Sequence, residues 1–161
     1  MDVVTLEPDD FTLVLAMNNA AVPNVSERDP QGMADLIDMS DFAVALIEDG
    51  VVLGFMVALP PDTAYASPNY KWFDDRYQEF LYVDRIVVSP DARNRGLGAE
   101  LYELLFQHVA EHGVPRVTCE VNLDPPNPGS LRFHQRLGFA EVGQLVSAKS
   151  GHLVCMLAKE S

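Results

Sequence analysis

Basic residues are scarce at the front of this chain. Through Asp62 the sequence holds twelve acidic side chains and one basic one, Arg28, and the 161 residues together carry a net charge of −13. So few cations argue against a nucleic-acid partner, because affinity for phosphate backbones rests on clustered Lys and Arg. Long apolar runs are missing as well. No stretch approaches the roughly 18–20 apolar residues of a membrane span, so no membrane partner is expected. The opening Met1-Asp2-Val3-Val4 lacks the basic start of a signal peptide. Cysteine is confined to Cys119 and Cys155, both in apolar runs, which suits a buried, reduced pair. Two cysteines without a ligand cluster do not make a zinc site, and no metal is expected. These absences fit the cytoplasm best.

What is present fits one mixed α/β domain over residues 1–161, with no repeat or linker. Met1–Leu6 reads as a strand, and Pro8-Asp9 opens a helix with Phe11, Val14, Leu15 and Asn18 at helical spacing. After a loop, a short helix carries Met33, Leu36 and Ile37. Phe42–Ile47 and Val51–Leu59 are β-rich runs around Asp49-Gly50, a strong hairpin signal. Pro60–Glu79 is a long aromatic connection, of the kind that is functional or carries its own helix. Phe80–Val88 is a strand, Leu97–Val109 a helix stopped at His112-Gly113, and Arg116–Val121 a strand. A turn cluster precedes a helix over Ser130–Leu137. Two last strands, near Phe139–Val146 and His152–Leu157, join at Lys149-Ser150-Gly151. Strand, helix and strand from Tyr82 to Val121 should place two parallel strands side by side.

The most informative segment is Val87-Val88-Ser89-Pro90-Asp91-Ala92-Arg93-Asn94-Arg95-Gly96-Leu97-Gly98-Ala99. An apolar strand stops, a glycine-bearing turn follows and a helix starts. Backbone N–H groups then converge at a helix N-terminus, where the dipole adds partial positive charge. Glycine allows a bulky anion to come close, and Arg93 and Arg95 can add charge-assisted bonds. Arg85 makes a third arginine nearby, a local basic spot in an acidic chain. The arrangement suits a pyrophosphate. The Walker pattern is absent, because no Lys-Ser/Thr follows the second glycine. The dinucleotide pattern lacks its third glycine, and its strand is usually the first element of its fold.

A second segment lies downstream: Asn127-Pro-Gly-Ser130-Leu-Arg-Phe133-His134-Gln-Arg-Leu-Gly138-Phe139. With both segments in this order, the chain resembles the GNAT acetyltransferase superfamily. Arg93, Gly96 and Gly98 match that family's Arg/Gln-x-x-Gly-x-Gly/Ala signature, and the Asn127–Phe139 segment matches its second one. The resemblance covers essentially the whole chain. It implies a mixed, mostly antiparallel sheet with a parallel, splayed pair of strands four and five, flanked by helices.

The resemblance also implies acetyl-CoA as donor. Its pantetheine arm would pair with Ile86, Val87 and Val88. Its pyrophosphate would sit on Arg93, Asn94, Arg95, Gly96, Leu97, Gly98 and Ala99. Asn127, Ser130 and Phe133 would lie near the arm. An N–H near Val87 or Val88 would polarise the thioester carbonyl. The acceptor amine would attack directly, with much of the rate coming from positioning. Where the family commonly has a Tyr acid, this chain has His134. An imidazole can donate a proton near neutrality, and the plain alternative is a helical histidine without a chemical role. Asp84 shares a strand face with Tyr82 and Ile86 and is a candidate base or amine anchor. The alternative for Asp84 is a pairing with Arg85 or Arg132. Glu120 is the neighbouring candidate.

For the acceptor, the family pattern points to the Asn18–Ser26 and Tyr65–Tyr82 segments, with Tyr70, Trp72, Tyr82 and Glu120 as binding candidates. Acidic charge beside aromatic faces favours a small cationic or amino-acid-like amine. The bland reading gives the charge to solubility and the aromatics to a packed cover. Other readings are a protein N-terminal or lysine acetyltransferase, a non-catalytic acyl-CoA-binding module and a nucleotide binder. Family members are often dimers, so a homodimer is compatible with the resemblance.

Overall fold

The computed structural model describes residues 1–147 and 150–161. Among these described residues, seven strands follow the sheet order β1-β2-β3-β4-β5-β7-β6. The strands are β1 (Asp2–Thr5), β2 (Phe42–Glu48), β3 (Val51–Leu59), β4 (Leu81–Val88), β5 (Arg116–Asp124), β6 (Ala140–Val146) and β7 (Leu153–Glu160). The helices are α1 (Phe11–Ala20), α2 (Pro30–Met39), α3 (Pro68–Asp74), α4 (Leu97–His112) and α5 (Pro128–Arg136). The mixed α/β class expected from the sequence is therefore observed. Residues Met1–Leu59 with Val83–Leu105 form one compact unit, and Pro60–Tyr82 with Phe106–Ser161 form another.

In the first unit, β1 pairs antiparallel with β2 and β2 with β3. The β2–β3 turn is the expected Asp-Gly hairpin: Asp49 and Gly50 both have positive φ, 53° and 77°, as a type I′ turn requires. α2 starts at Pro30 behind the Asp29 cap, whose side chain accepts the Gly32 N–H, and buries Met33, Leu36 and Ile37. α1 buries Val14 and Asn18, while Phe11 and Leu15 stay half-exposed. The first turns of α4 bury Leu97, Leu101, Tyr102 and Leu105.

In the second unit, β7 pairs antiparallel with both β5 and β6. Leu81 and Tyr82 at the start of β4 pair in parallel with Val117 and Thr118 of β5, the pairing expected of that crossover. β5 runs three residues past the expected Val121 because its ladder to β7 continues through Asn122 and Asp124. Backbone bonds carry a strand onward after the apolar pattern has ended. The long aromatic connection does hold a helix, α3. Ser67 caps it by accepting the Tyr70 N–H, and Pro68 occupies its first turn. Tyr70, Phe73, Phe80 and Tyr82 are almost completely buried and pack ring on ring in its core. Cys119 and Cys155 are buried, as expected, each as an unbridged thiol. Of the turn expected at Lys149-Ser150-Gly151, Lys149 lies outside the described residues. Among those described, no helix is long and apolar enough to cross a membrane.

Candidate active site

The glycine-bearing turn belongs to the first unit. Arg93, Asn94, Arg95 and Gly96 are exposed, while Leu97 is buried and pins the start of α4. Asn94 and Gly96 take positive φ values of 65° and 73°, and this left-handed geometry turns the backbone into the helix. A Cβ on Gly96 would meet nothing within 4 Å, so its surroundings are open to a ligand. The first bond closing α4 runs from the Glu100 N–H to the Gly96 carbonyl at 3.0 Å. The N–H groups of Leu97, Gly98 and Ala99 precede that bond, and a helix leaves such groups without intrahelical acceptors. Leu97 can thus offer a ligand its amide but not its side chain. The expected basic spot is dispersed. Arg95 donates to Glu48 at 2.9 Å and 3.3 Å, an exposed pair that holds the Glu48 carboxyl below its ordinary range.

On β4, Val87 is buried, and Ile86 and Val88 are half-exposed. Asp84 is tied down. Arg85 Nε donates to Asp84 Oδ2 at 2.6 Å, and the two side chains keep 2% and 5% of their exposure. Arg85 also donates to Asn18 Oδ1 at 2.8 Å, to the Ser26 carbonyl at 3.0 Å and to Ser26 Oγ at 3.0 Å. A buried guanidinium needs such a set of acceptors. Of the two partners considered for Asp84, Arg85 holds it. The carboxylate neutralises an internal cation, and Asn18 and Ser26 complete the cage.

In the second unit, Glu120 is held differently. Tyr82 donates its hydroxyl hydrogen to Glu120 Oε1 at 2.8 Å, and Asn69 Nδ2 donates to the same oxygen at 3.1 Å. Both of these donors are neutral, and they fix the direction of the carboxylate. Tyr82 lies against Tyr70 and Phe73. Tyr70 is fully buried, its hydroxyl donating to the Pro60 carbonyl at 2.6 Å and accepting from the Thr63 N–H at 3.0 Å. It is a strut of the aromatic segment rather than an open face. Trp72 is half-exposed, with the Arg76 guanidinium 3.7 Å above its ring.

The second motif forms α5. Asn127 caps this helix by accepting the Ser130 N–H at 3.3 Å. Ser130 and Phe133 are half-exposed. His134 is 5% exposed and lies edge-on to Phe133 and Phe139. Its Nδ1 is 2.7 Å from the Ser130 carbonyl. A carbonyl only accepts, so Nδ1 carries the proton in that bond. Burial holds His134 below its ordinary pKa, and the Ser130 bond opposes this only in part. The favoured species is the neutral ring with its proton on Nδ1. Donating from Nε2 requires the imidazolium, the form that burial disfavours.

Asn69 was not visible as a site residue, although Ser67-Pro68 is a helix start that would have placed it on the first turn of α3. The Asn18–Ser26 segment supplies acceptors around Arg85.

The model of the acetyltransferase (GNAT) family matches residues 11–139. A phosphinothricin N-acetyltransferase of Streptomyces viridochromogenes is 31% identical over 117 residues, covering 73% of this chain and 56% of that protein. An L-2,4-diaminobutyric acid acetyltransferase of Nocardia farcinica is 32% identical over 82 residues, covering 51% of this chain and 33% of that protein. The chain thus spans a third to just over half of these relatives' lengths. Among solved structures, yncA of Salmonella typhimurium, determined with its cofactor acetyl-CoA, superposes with a TM-score of 0.73 at 18% identity, covering 99% of this chain and 93% of that one.

Proposed function

Because the chain belongs to the GNAT acetyltransferase family, we propose that it transfers the acetyl group of acetyl-CoA to the primary amine of a small cationic or amino-acid-like acceptor. The observation that carries this reading is the exposed Arg93–Gly96 turn running into the free amides of α4. Its open surroundings and left-handed residues fit a pyrophosphate, and Arg93 adds an exposed cation. Two relatives are named for acceptors that are small amino acids, which supports the acceptor class.

Acetyl-CoA supplies an activated acyl group as a thioester, and the residues of this chain act on the acceptor and on protons. Glu120, oriented by Tyr82 and Asn69, attracts the ammonium and takes one of its protons. The amine lone pair then forms the C–N bond as the C–S bond breaks, the C–S electron pair leaves on sulfur, and the acylated nitrogen gives up its second proton to water. The sulfur finally takes a proton. His134 supplies it only as the minority imidazolium, and a thiol pKa of about 8.5 makes water an adequate source. Asp84 serves structure, because Arg85 uses its charge.

The test is thiol release from acetyl-CoA with a panel of 2,4-diaminobutyrate, phosphinothricin, 1,4-diaminobutane, cationic amino acids and short peptides. Release with one or more small amines is expected. Release with peptides alone would replace the acceptor class. No release with any amine, while acetyl-CoA binds, would overturn the enzymatic reading.

A further inference from the structure

A glycine inside a strand weakens it and often marks a place where another group comes very close. Gly143 of β6 is such a place. A Cβ there would overlap Trp72 Cζ2 and lie 2.8 Å from Cη2, so something would have to shift. The β6–β7 register shifts between Glu141 and Gly143, and a bulge of this kind re-aims the residues beside it. The far ring of the indole is thus seated on bare backbone. Arg76 covers the same indole at 3.7 Å and donates to the Trp72 carbonyl at 2.9 Å.

The register gives this seat a consequence. Glu120 pairs with Met156 across β5–β7, and Met156 pairs with Gly143 across β7–β6. Directly opposed residues project on one face of a sheet. Glu120 and Gly143 therefore stand in one row, two strand spacings or about 10 Å apart. Asn69 and Trp72 are three residues apart on α3, hence neighbours on one helix face. α3 lies across this row: Asn69 reaches Glu120 at one end and Trp72 rests on Gly143 at the other. The buried rings of Tyr70 and Phe73 anchor the inner side of this seven-residue helix, and Trp72 sets how its outer side rests on β6.

We propose that the Trp72–Gly143 seat is a positioning element for acceptor selection. It holds α3 at the height where Asn69, with Tyr82, sets the direction of the Glu120 carboxylate. Trp72 then contributes to the acceptor step through Asn69 and Glu120 and not as a stacking surface. The proposal rests on the assignment of Glu120 to the acceptor.

The experiment compares wild type, Gly143→Ala and Gly143→Ala/Trp72→Phe, using the amine of the panel with the highest kcat/KM. Trp72 is the single tryptophan of the chain, so its emission reports the seat independently of activity. Gly143→Ala should shift the emission to the red and raise the KM for the amine about tenfold, in line with the cost of misplacing a reacting group. The KM for acetyl-CoA should stay within about twofold of wild type. The smaller ring of Trp72→Phe lacks the atoms that a Cβ would strike, so the double variant should regain most of the acceptor KM. If Gly143→Ala does not fold, Trp72→Ala deletes the contact without a clash and should raise the amine KM in the same way. Unchanged emission in Gly143→Ala, an unchanged amine KM in a folded single variant, or a loss that the second substitution does not restore would each overturn the proposal. A wild type that acetylates no amine would instead overturn the acceptor reading itself, and this proposal with it.

Discussion

Asp84 and Glu120 are both strand carboxylates with short hydrogen bonds, yet their partners differ in kind. Asp84 faces the buried guanidinium of Arg85, which also draws on Asn18 and Ser26. Glu120 faces a phenol and an amide. A carboxylate beside a buried cation has its charge taken up internally, whereas a phenol and an amide orient a carboxylate and bring no charge to oppose it. Strand position alone does not separate these roles. The identity of the partner does.

The largest effect is expected where the internal pair is broken. Arg85→Ala leaves Asp84 and Asn18 without their cation and should cost about 3–5 kcal/mol, the usual consequence of orphaning a buried charge. Thermal and urea unfolding would read this as a large loss of stability. A stability close to wild type would remove the contrast between the two carboxylates.

Next in size is Glu120→Gln. It keeps the shape and the bond to Tyr82 but removes the charge. A fall of about 10²-fold in kcat/KM for the amine is expected from the loss of a positioned base, with unfolding near wild type. An unaltered amine kcat/KM would move the base elsewhere.

The smallest effect concerns His134, whose charge burial suppresses. Its folded-state pKa lies below its unfolded one, so the folded state favours the neutral ring. The associated stability is complete above the unfolded pKa of about 6.5 and is lost as pH falls through the folded value. His134→Gln should therefore flatten the decline of Tm between neutral and mildly acid pH, and lower turnover only modestly. A variant whose Tm falls as steeply with acid as wild type would contradict the assigned charge state.

Local signals carried much of the fold into view. The Asp49-Gly50 hairpin, the α4 stripe and the Arg93–Gly98 turn were legible because each depends on neighbouring residues alone. What was not legible depends on register and partner choice. Asp84 beside Arg85 could be read as a base or as half of an ion pair, and the cage from Asn18 and Ser26 supports the ion pair. Glu120 became distinct through Asn69, 51 positions away in sequence. The motif singles out His134, but its tautomer follows from the Ser130 carbonyl and from burial, which no motif encodes. The role of Gly143 lies in a sheet register that alternation does not reveal.

The most direct measurement compares kcat/KM, for the amine of the panel on which wild type acts best, in wild type, Glu120→Gln and Asp84→Asn. If Glu120 is the carboxylate that meets the reacting ammonium, Glu120→Gln should fall by about 10²-fold, while a stably folded Asp84→Asn stays within about threefold of wild type. An unaltered Glu120→Gln beside a large loss in a stably folded Asp84→Asn would contradict the account.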